Sequence, residues 1–129
     1  MNPNNLKYSK NHEWIGFEVN KEKAYIGITH FAQKELGDII YLDIDDTIIG
    51  TKVQEGKVFG TIEAVKTVSD LFMPVSGNIL ELNKVLLSKP EYINKNPYET
   101  GWIIQIKILD IKEYDRLMSF EEYKKYIGE

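Results

Sequence analysis

The chain of 129 residues contains no cysteine and only two histidines, His12 and His30. A disulfide, an iron-sulfur cluster and a cysteine nucleophile are thereby excluded, and a structural zinc site is left without enough ligands. Absent thiols are compatible with either a reducing or an oxidising compartment. No stretch approaches the run of about 20 apolar residues that a membrane-spanning helix requires, so no association with the bilayer is expected. The segment from Met1 to Tyr8 lacks both the apolar core of a secretory signal and the arginine-rich pattern of an organellar leader, which makes the cytoplasm the expected location. A strong charge imbalance is missing too: the formal net charge is −4, and lysines alternate with carboxylates along the chain. Nucleic acid, whose phosphates call for a clustered cationic face, is therefore not an expected partner.

What is present describes one soluble globular domain over residues 1–129, with 43% hydrophobic residues and enough length to bury a core without a covalent or metal staple. Apolar and polar residues alternate with a period of two, the mark of half-buried strands. In Trp102 to Ile108 the alternation places Trp102, Ile104, Ile106 and Ile108 on one face. Strands are likewise expected at Glu13 to Val19, Ala24 to Ile28, Ile39 to Asp45, Val58 to Ala64 and Ile79 to Leu82, with Asn20-Lys21-Glu22-Lys23 turning a hairpin between the first two. The fold class is mainly β: antiparallel sheets closed into a flattened barrel or sandwich, with short helices and a C-terminal helical flank. Thr29 caps a helix over His30 to Leu36 that Gly37 stops, and a second short helix fits Val85 to Glu91. Near the end, Asp110 with Glu113 and Ser119 with Glu122 have capping-box spacing. Tyr114, Leu117 and Met118 share one helical face there, and Phe120, Tyr123 and Ile127 another.

Several patterns suggest chemistry and fail on inspection. From Gly50 to Lys57 the chain approaches a phosphate loop, but five residues separate Gly50 from Gly56, and Val58 stands where a magnesium-binding hydroxyl is required. Asp43-Ile44-Asp45-Asp46 opens like a calcium loop, yet Ile48 occupies the glycine turn and Gln54 the bidentate glutamate. Neither histidine has a partner at ligand spacing, so no metal site is expected. With no nucleophile elbow and no dinucleotide fingerprint, the chain lacks the equipment of an enzyme.

One segment remains, Gly60 to Gly77, which reads as a strand through Glu63-Ala64-Val65, then Lys66, then a second strand-like stretch ending in Pro74-Val75-Ser76-Gly77. Local chemistry places no turn at Lys66, because Asn-Gly and Asp-Gly are absent there and Val65, Thr67 and Val68 favour continuing a strand.

Here the sequence resembles the biotinyl/lipoyl carrier family, in which a lysine at a hairpin tip receives the cofactor in amide linkage. Within that family it is similar to the carriers that serve glycine cleavage, from Lys7 to Ile127. Besides Glu63-Ala64-Val65-Lys66, the similarity rests on Lys7 to Trp14, on Gly27 to Gln33 with Leu36 to Ile39, and on Asn96 to Trp102. Biotin-accepting members carry methionine on both sides of the lysine, whereas Lys66 lies between Val65 and Thr67, so the implied cofactor is lipoate. The cofactor site carried over comprises Lys66 as the attachment point with Glu63 and Val65 beside it. Gly56, ten residues before Lys66, and Gly77, eleven after it, flank the lysine nearly symmetrically, as in lipoyl domains. Ala64 stands where serine is usual, a small-for-small departure, and Asn11 replaces the common serine or glutamate before His12.

The resemblance implies a barrel-sandwich fold and a shuttle rather than a catalyst. The lysine stem and lipoyl chain would form a tether of about 14 Å, at about 1.2 Å per bond over a dozen bonds. The implied partners are a pyridoxal-phosphate-dependent glycine decarboxylase, a tetrahydrofolate-dependent aminomethyltransferase, dihydrolipoamide dehydrogenase and the enzyme that attaches lipoate, each met transiently by a monomeric carrier. Between visits the loaded arm of the family lies in a cleft, and Glu13 and Asp70 match acidic positions that line it, where a carboxylate suits a protonated amine. An alternative role on the same fold is a lipoyl donor for 2-oxoacid dehydrogenase subunits.

Overall fold

The computed structural model describes residues 1–18 and 23–129, so the turn expected at Asn20 to Lys23 falls largely outside the described residues. Nine strands form two antiparallel sheets among the described residues. The larger sheet takes β1 (Lys7–Tyr8), β2 (Glu13–Phe17), β3 (Ala24–Ile28), β9 (Ile104–Ile108), β8 (Gly77–Leu82) and β5 (Lys52–Val53), neighbours in that order. The smaller sheet takes β4 (Ile39–Asp43), β6 (Val58–Ala64) and β7 (Val68–Phe72), with β6 in the middle. Short helices lie between and after the strands: α1 (His30–Leu36), α2 (Val85–Ser88), α3 (Tyr92–Lys95), α4 (Ile111–Asp115) and α5 (Phe120–Tyr126).

The core lies where the inner faces of the two sheets meet. Ile15, Ile26, Ile79, Ile104 and Ile106 from the larger sheet join Ile39, Leu42, Phe59, Ile62 and Leu71 from the smaller, and Leu86 and Ile93 add the apolar sides of α2 and α3. Each such side chain, once buried, contributes about 1.5–3 kcal/mol of transfer free energy. A second apolar cluster covers the outer face of β1 and β2, built from Leu6, Tyr8, Trp14 and Tyr123 with Phe120 and Ile127 against them. Because both faces of β2 are covered, Trp14 and Ile15 are equally buried although they point oppositely. The alternation in the sequence therefore marks the strand without telling which of its faces is dry.

Trp14 also explains why the blocks quoted for the resemblance occur together. Its partner across the ladder is Gly27, where an added Cβ would lie 2.6 Å from the indole nitrogen, so only glycine seats the ring there. The same nitrogen donates to the carbonyl of Pro97 at 2.9 Å, and the hydroxyl of Tyr98 accepts the N–H of His30 at 3.0 Å. Three segments far apart in sequence are thus tied at one point.

Most expected elements are found, with informative differences. Thr29 caps α1 through Ala32 N–H, and the N–H of Gly37, at φ +82°, bonds the carbonyl of Gln33. The expected helix from Val85 to Glu91 is instead two single turns, α2 and α3, separated around Pro90. Trp102 leaves the line of Ile104, Ile106 and Ile108: the strand begins at Ile104, and Trp102 packs on Tyr25 at 5.0 Å between ring centroids. Ser119 and Glu122 form a full capping box at α5. Asp110 caps α4 alone, because Glu113 turns away to accept the N–H and hydroxyl of Ser76 at 2.7 and 3.1 Å. Among the described residues no helix is long and apolar enough to cross a membrane.

Candidate functional site

Strands β6 and β7 form the hairpin that carries Lys66. Glu63 pairs with Val68, and the N–H of Ala64 donates to the carbonyl of Thr67 at 2.8 Å, leaving Val65 and Lys66 beyond the last rung. Neither takes a positive φ, so the turn needs no glycine or asparagine, which is why no turn signal stands in the sequence. The tip is braced from outside: the N–H of Val65 donates to the carbonyl of Asp38, in the connection between α1 and β4, at 3.2 Å. Its side chains face solvent, with Val65 68% exposed and Lys66 and Glu63 exposed as well. Among the described residues Lys66 has no hydrogen-bond or ion-pair partner, so its amine is free for acylation from any direction. Glu63 lies on the outer face of the sheet, between Tyr41 and Val68 in register.

The two glycines flanking the lysine do different work. Gly56 adopts φ +83° in the turn before β6, a left-handed conformation favouring glycine. Gly77 opens β8 with Ile106 packed against it, where a Cβ would approach the Ile106 Cδ1 to 2.6 Å.

Beyond the tip, β7 becomes one wall of a cleft of about 130 Å³. Ser69, Asp70 and Leu71 form that wall; Asn11, His12 and Glu13 come from the start of β2, and Ala32, Glu35 and Leu36 from α1. Glu13 and Asp70 thus line one cavity, and Lys66 stands outside it, four residues from Asp70 along the hairpin. At a strand rise of about 3.3 Å per residue that separation is about 13 Å. The cleft floor is apolar, with Ile28 and Ile62 joining Ala32, Leu36 and Leu71.

Glu13 is 2% exposed. Its carboxylate accepts the hydroxyl of Ser9 at 2.6 Å and the N–H of Phe72 at 3.2 Å, and through the latter it covers part of the open edge of β7. Burial pushes its pKa up to about 7, a rise the bonds from Ser9 and Phe72 only partly offset. Burial likewise pushes the His12 imidazole below its ordinary value, with Glu35 acting in the opposite direction. Nδ1 of His12 is hydrogen-bonded to the hydroxyl of Tyr123 at 2.8 Å. His30 instead accepts the side-chain amide of Gln33 at 3.0 Å, and among the described residues no group of three potential ligands surrounds a metal position. Sequence reasoning did not place His12 and Glu35 in the cleft, since nothing local connects α1 to the loop before β2.

Two facing antiparallel sheets, the smaller of which carries an exposed lysine at the tip of its β6–β7 hairpin, are the architecture of a barrel-sandwich domain. The glycine cleavage H-protein family model matches residues 6–129, and the chain belongs to that family. In structure it is similar to a glycine cleavage system H protein from Mycobacterium marinum, with a TM-score of 0.87 and 31% identity over 99% of this chain and 100% of that one. Proteins of this family carry lipoate.

Proposed function

We propose that Lys66 carries lipoate in amide linkage and that the chain shuttles an aminomethyl group from a pyridoxal-phosphate-dependent glycine decarboxylase to a tetrahydrofolate-dependent aminomethyltransferase, with reoxidation by dihydrolipoamide dehydrogenase. The observation that carries the reading is the exposed Lys66, without a partner among the described residues, at the tip of a braced hairpin in a chain of this family. The residues fit the group. An acylated lysine loses its charge and can lie against the apolar floor formed by Ile28, Ala32, Leu36, Ile62 and Leu71, which the ammonium of free lysine would avoid. When bound, the lipoyl dithiolane supplies the sulfur chemistry that the chain, without cysteine, does not have.

The protein's own residues orient and shield. Asp70 and Glu13 offer carboxylates to a protonated amine entering the cleft, and a cation there favours the ionised form of Glu13. Glu63 and Val65 flank the lysine where the attaching enzyme must approach. The cytoplasm is the proposed location and a monomer the proposed state, since each partner must be met and released in turn.

The test is the intact mass of the protein and of Lys66→Ala after incubation with lipoate, ATP and a lipoate ligase active on a control domain. One lipoyl group gained by the parent and none by the variant is the expected result. No gain by the folded parent refutes the reading.

A further inference from the structure

Helix α5 contributes no residue to the lining of the cleft, yet two of its hydroxyls grip the loop that forms one wall. Tyr123, 2% exposed, shares a hydrogen bond with Oγ1 of Thr29 at 2.7 Å and another with Nδ1 of His12 at 2.8 Å. One turn on, Tyr126 donates to the carbonyl of Lys10 at 3.0 Å. Thr29 is the cap of α1, the helix that brings Ala32, Glu35 and Leu36 to the cleft, while Lys10 and His12 belong to the loop running into Glu13. The Tyr123 hydroxyl therefore bridges two walls of the cavity. Its ring is itself fixed, stacked on Tyr8 with centroids 4.6 Å apart and planes 10° from parallel.

The loop needs holding. His12, at φ +68°, is the only non-glycine residue with positive φ among the described residues, a conformation L side chains rarely adopt. Its imidazole is enclosed by Phe31, Tyr123 and Tyr126, with centroids 4.9, 5.8 and 5.8 Å away. The same loop aims Glu13: the N–H of Ser9 donates to the Glu13 carbonyl at 2.9 Å while its hydroxyl donates to the carboxylate. A loop that relaxed at His12 would release both.

We propose that Tyr123 is a positioning residue for the cleft: its hydroxyl, bonded to Thr29 on one wall and His12 on the other, fixes the loop that aims Glu13, so that the terminal helix governs how tightly the cleft closes on a docked arm. The proposal rests on the carrier reading above for its consequence, and on this chain's own hydrogen bonds for its geometry. The C-terminal flank is, on this view, part of the docking apparatus.

The experiment compares wild type with Tyr123→Phe, which keeps the ring and its stack on Tyr8. The first readout needs no cofactor: the titration of the Glu13 carboxyl, followed by NMR on unmodified protein, is expected to fall toward the ordinary carboxylate range in Tyr123→Phe as water reaches a loosened loop. The second uses carrier loaded at Lys66 with no partner present, and follows ammonia release as water attacks the aminomethyl carbon, yielding formaldehyde, ammonia and free thiol. A rise of about three- to tenfold is expected, the range corresponding to one lost hydrogen bond. Unchanged Glu13 titration and release rate in a folded Tyr123→Phe overturn the proposal, even if its melting temperature falls. Should Tyr123→Phe not fold, the same readouts on Thr29→Val, which removes the partner of the Tyr123 hydroxyl on the α1 wall, decide it by the same criterion. Failure of wild type to load at Lys66 refutes the carrier reading, and the Glu13 titration then still tests the positioning.

Discussion

Glu13 makes stability depend on pH in a direction opposite to that of an ion-paired carboxylate. Burial raises its pKa to about 7 in the fold, against the usual 4.5 for the unfolded chain. Between these values the folded state holds a proton that the unfolded state has lost, so the stability from this group is complete below pH 4.5 and disappears as pH rises through about 7. At about 1.4 kcal/mol per pH unit, the gap is worth about 3 kcal/mol. Glu13→Gln removes the titration while keeping the shape: its amide oxygen, placed where Oε2 stands, accepts from the Phe72 N–H, and its amide NH2, placed where Oε1 stands, donates to the Ser9 hydroxyl. The variant is expected to match wild type near pH 4.5 and to exceed it by about 3 kcal/mol at pH 8, or about 10 °C in melting temperature for a chain of this size. Parallel urea melts of the two proteins from pH 4.5 to 8 measure the difference directly, since every other titrating group cancels. A constant offset across that range refutes the reasoning, because it would mean that Glu13 enters the fold with an ordinary pKa.

Two further substitutions probe how the frame is held. Gly101→Ala places a Cβ 2.7 Å from the backbone oxygens of Asn96 and Tyr92, so it is expected to cost at least about 2 kcal/mol by denaturant melting; a neutral or stabilised variant would show that the turn yields. Ser119→Ala removes the side-chain half of the α5 capping box and is expected to cost about 1 kcal/mol, read in the same way, with no loss if the helix end is instead held by its packing.

Much of this protein can be read from short-range patterns. Alternation locates the strands around Ile15, Ile26, Ile62 and Ile106 because a pleated strand sends successive side chains to opposite faces whatever else surrounds it. Thr29 and Gly37 delimit α1, and Ser119 with Glu122 opens α5, because a cap is satisfied within three or four residues of itself. The resemblance singled out Lys66 where local chemistry gave no turn, since a tip without positive φ leaves no trace in residue choice.

Where a pattern had a competitor elsewhere in the fold, the competitor decided. Asp110 and Glu113 have the same spacing as Ser119 and Glu122, yet Glu113 is drawn to Ser76, 37 residues away in sequence. Trp102 fits the alternation of β9 and instead joins Tyr25 on the outer cluster. The sequence by itself located the longer strands and the starts of α1, α2, α4 and α5, and excluded a cysteine thiol, while the two-residue strands β1 and β5 and the single turn α3 left no pattern long enough to read. Only the tertiary structure decided that Glu13, His12, Glu35 and Asp70 share one cavity and that a carboxyl in it holds its proton to about pH 7. Periodicity and capping act over a few bonds along the chain; desolvation and cavity shape arise between segments that meet only when both sheets have closed.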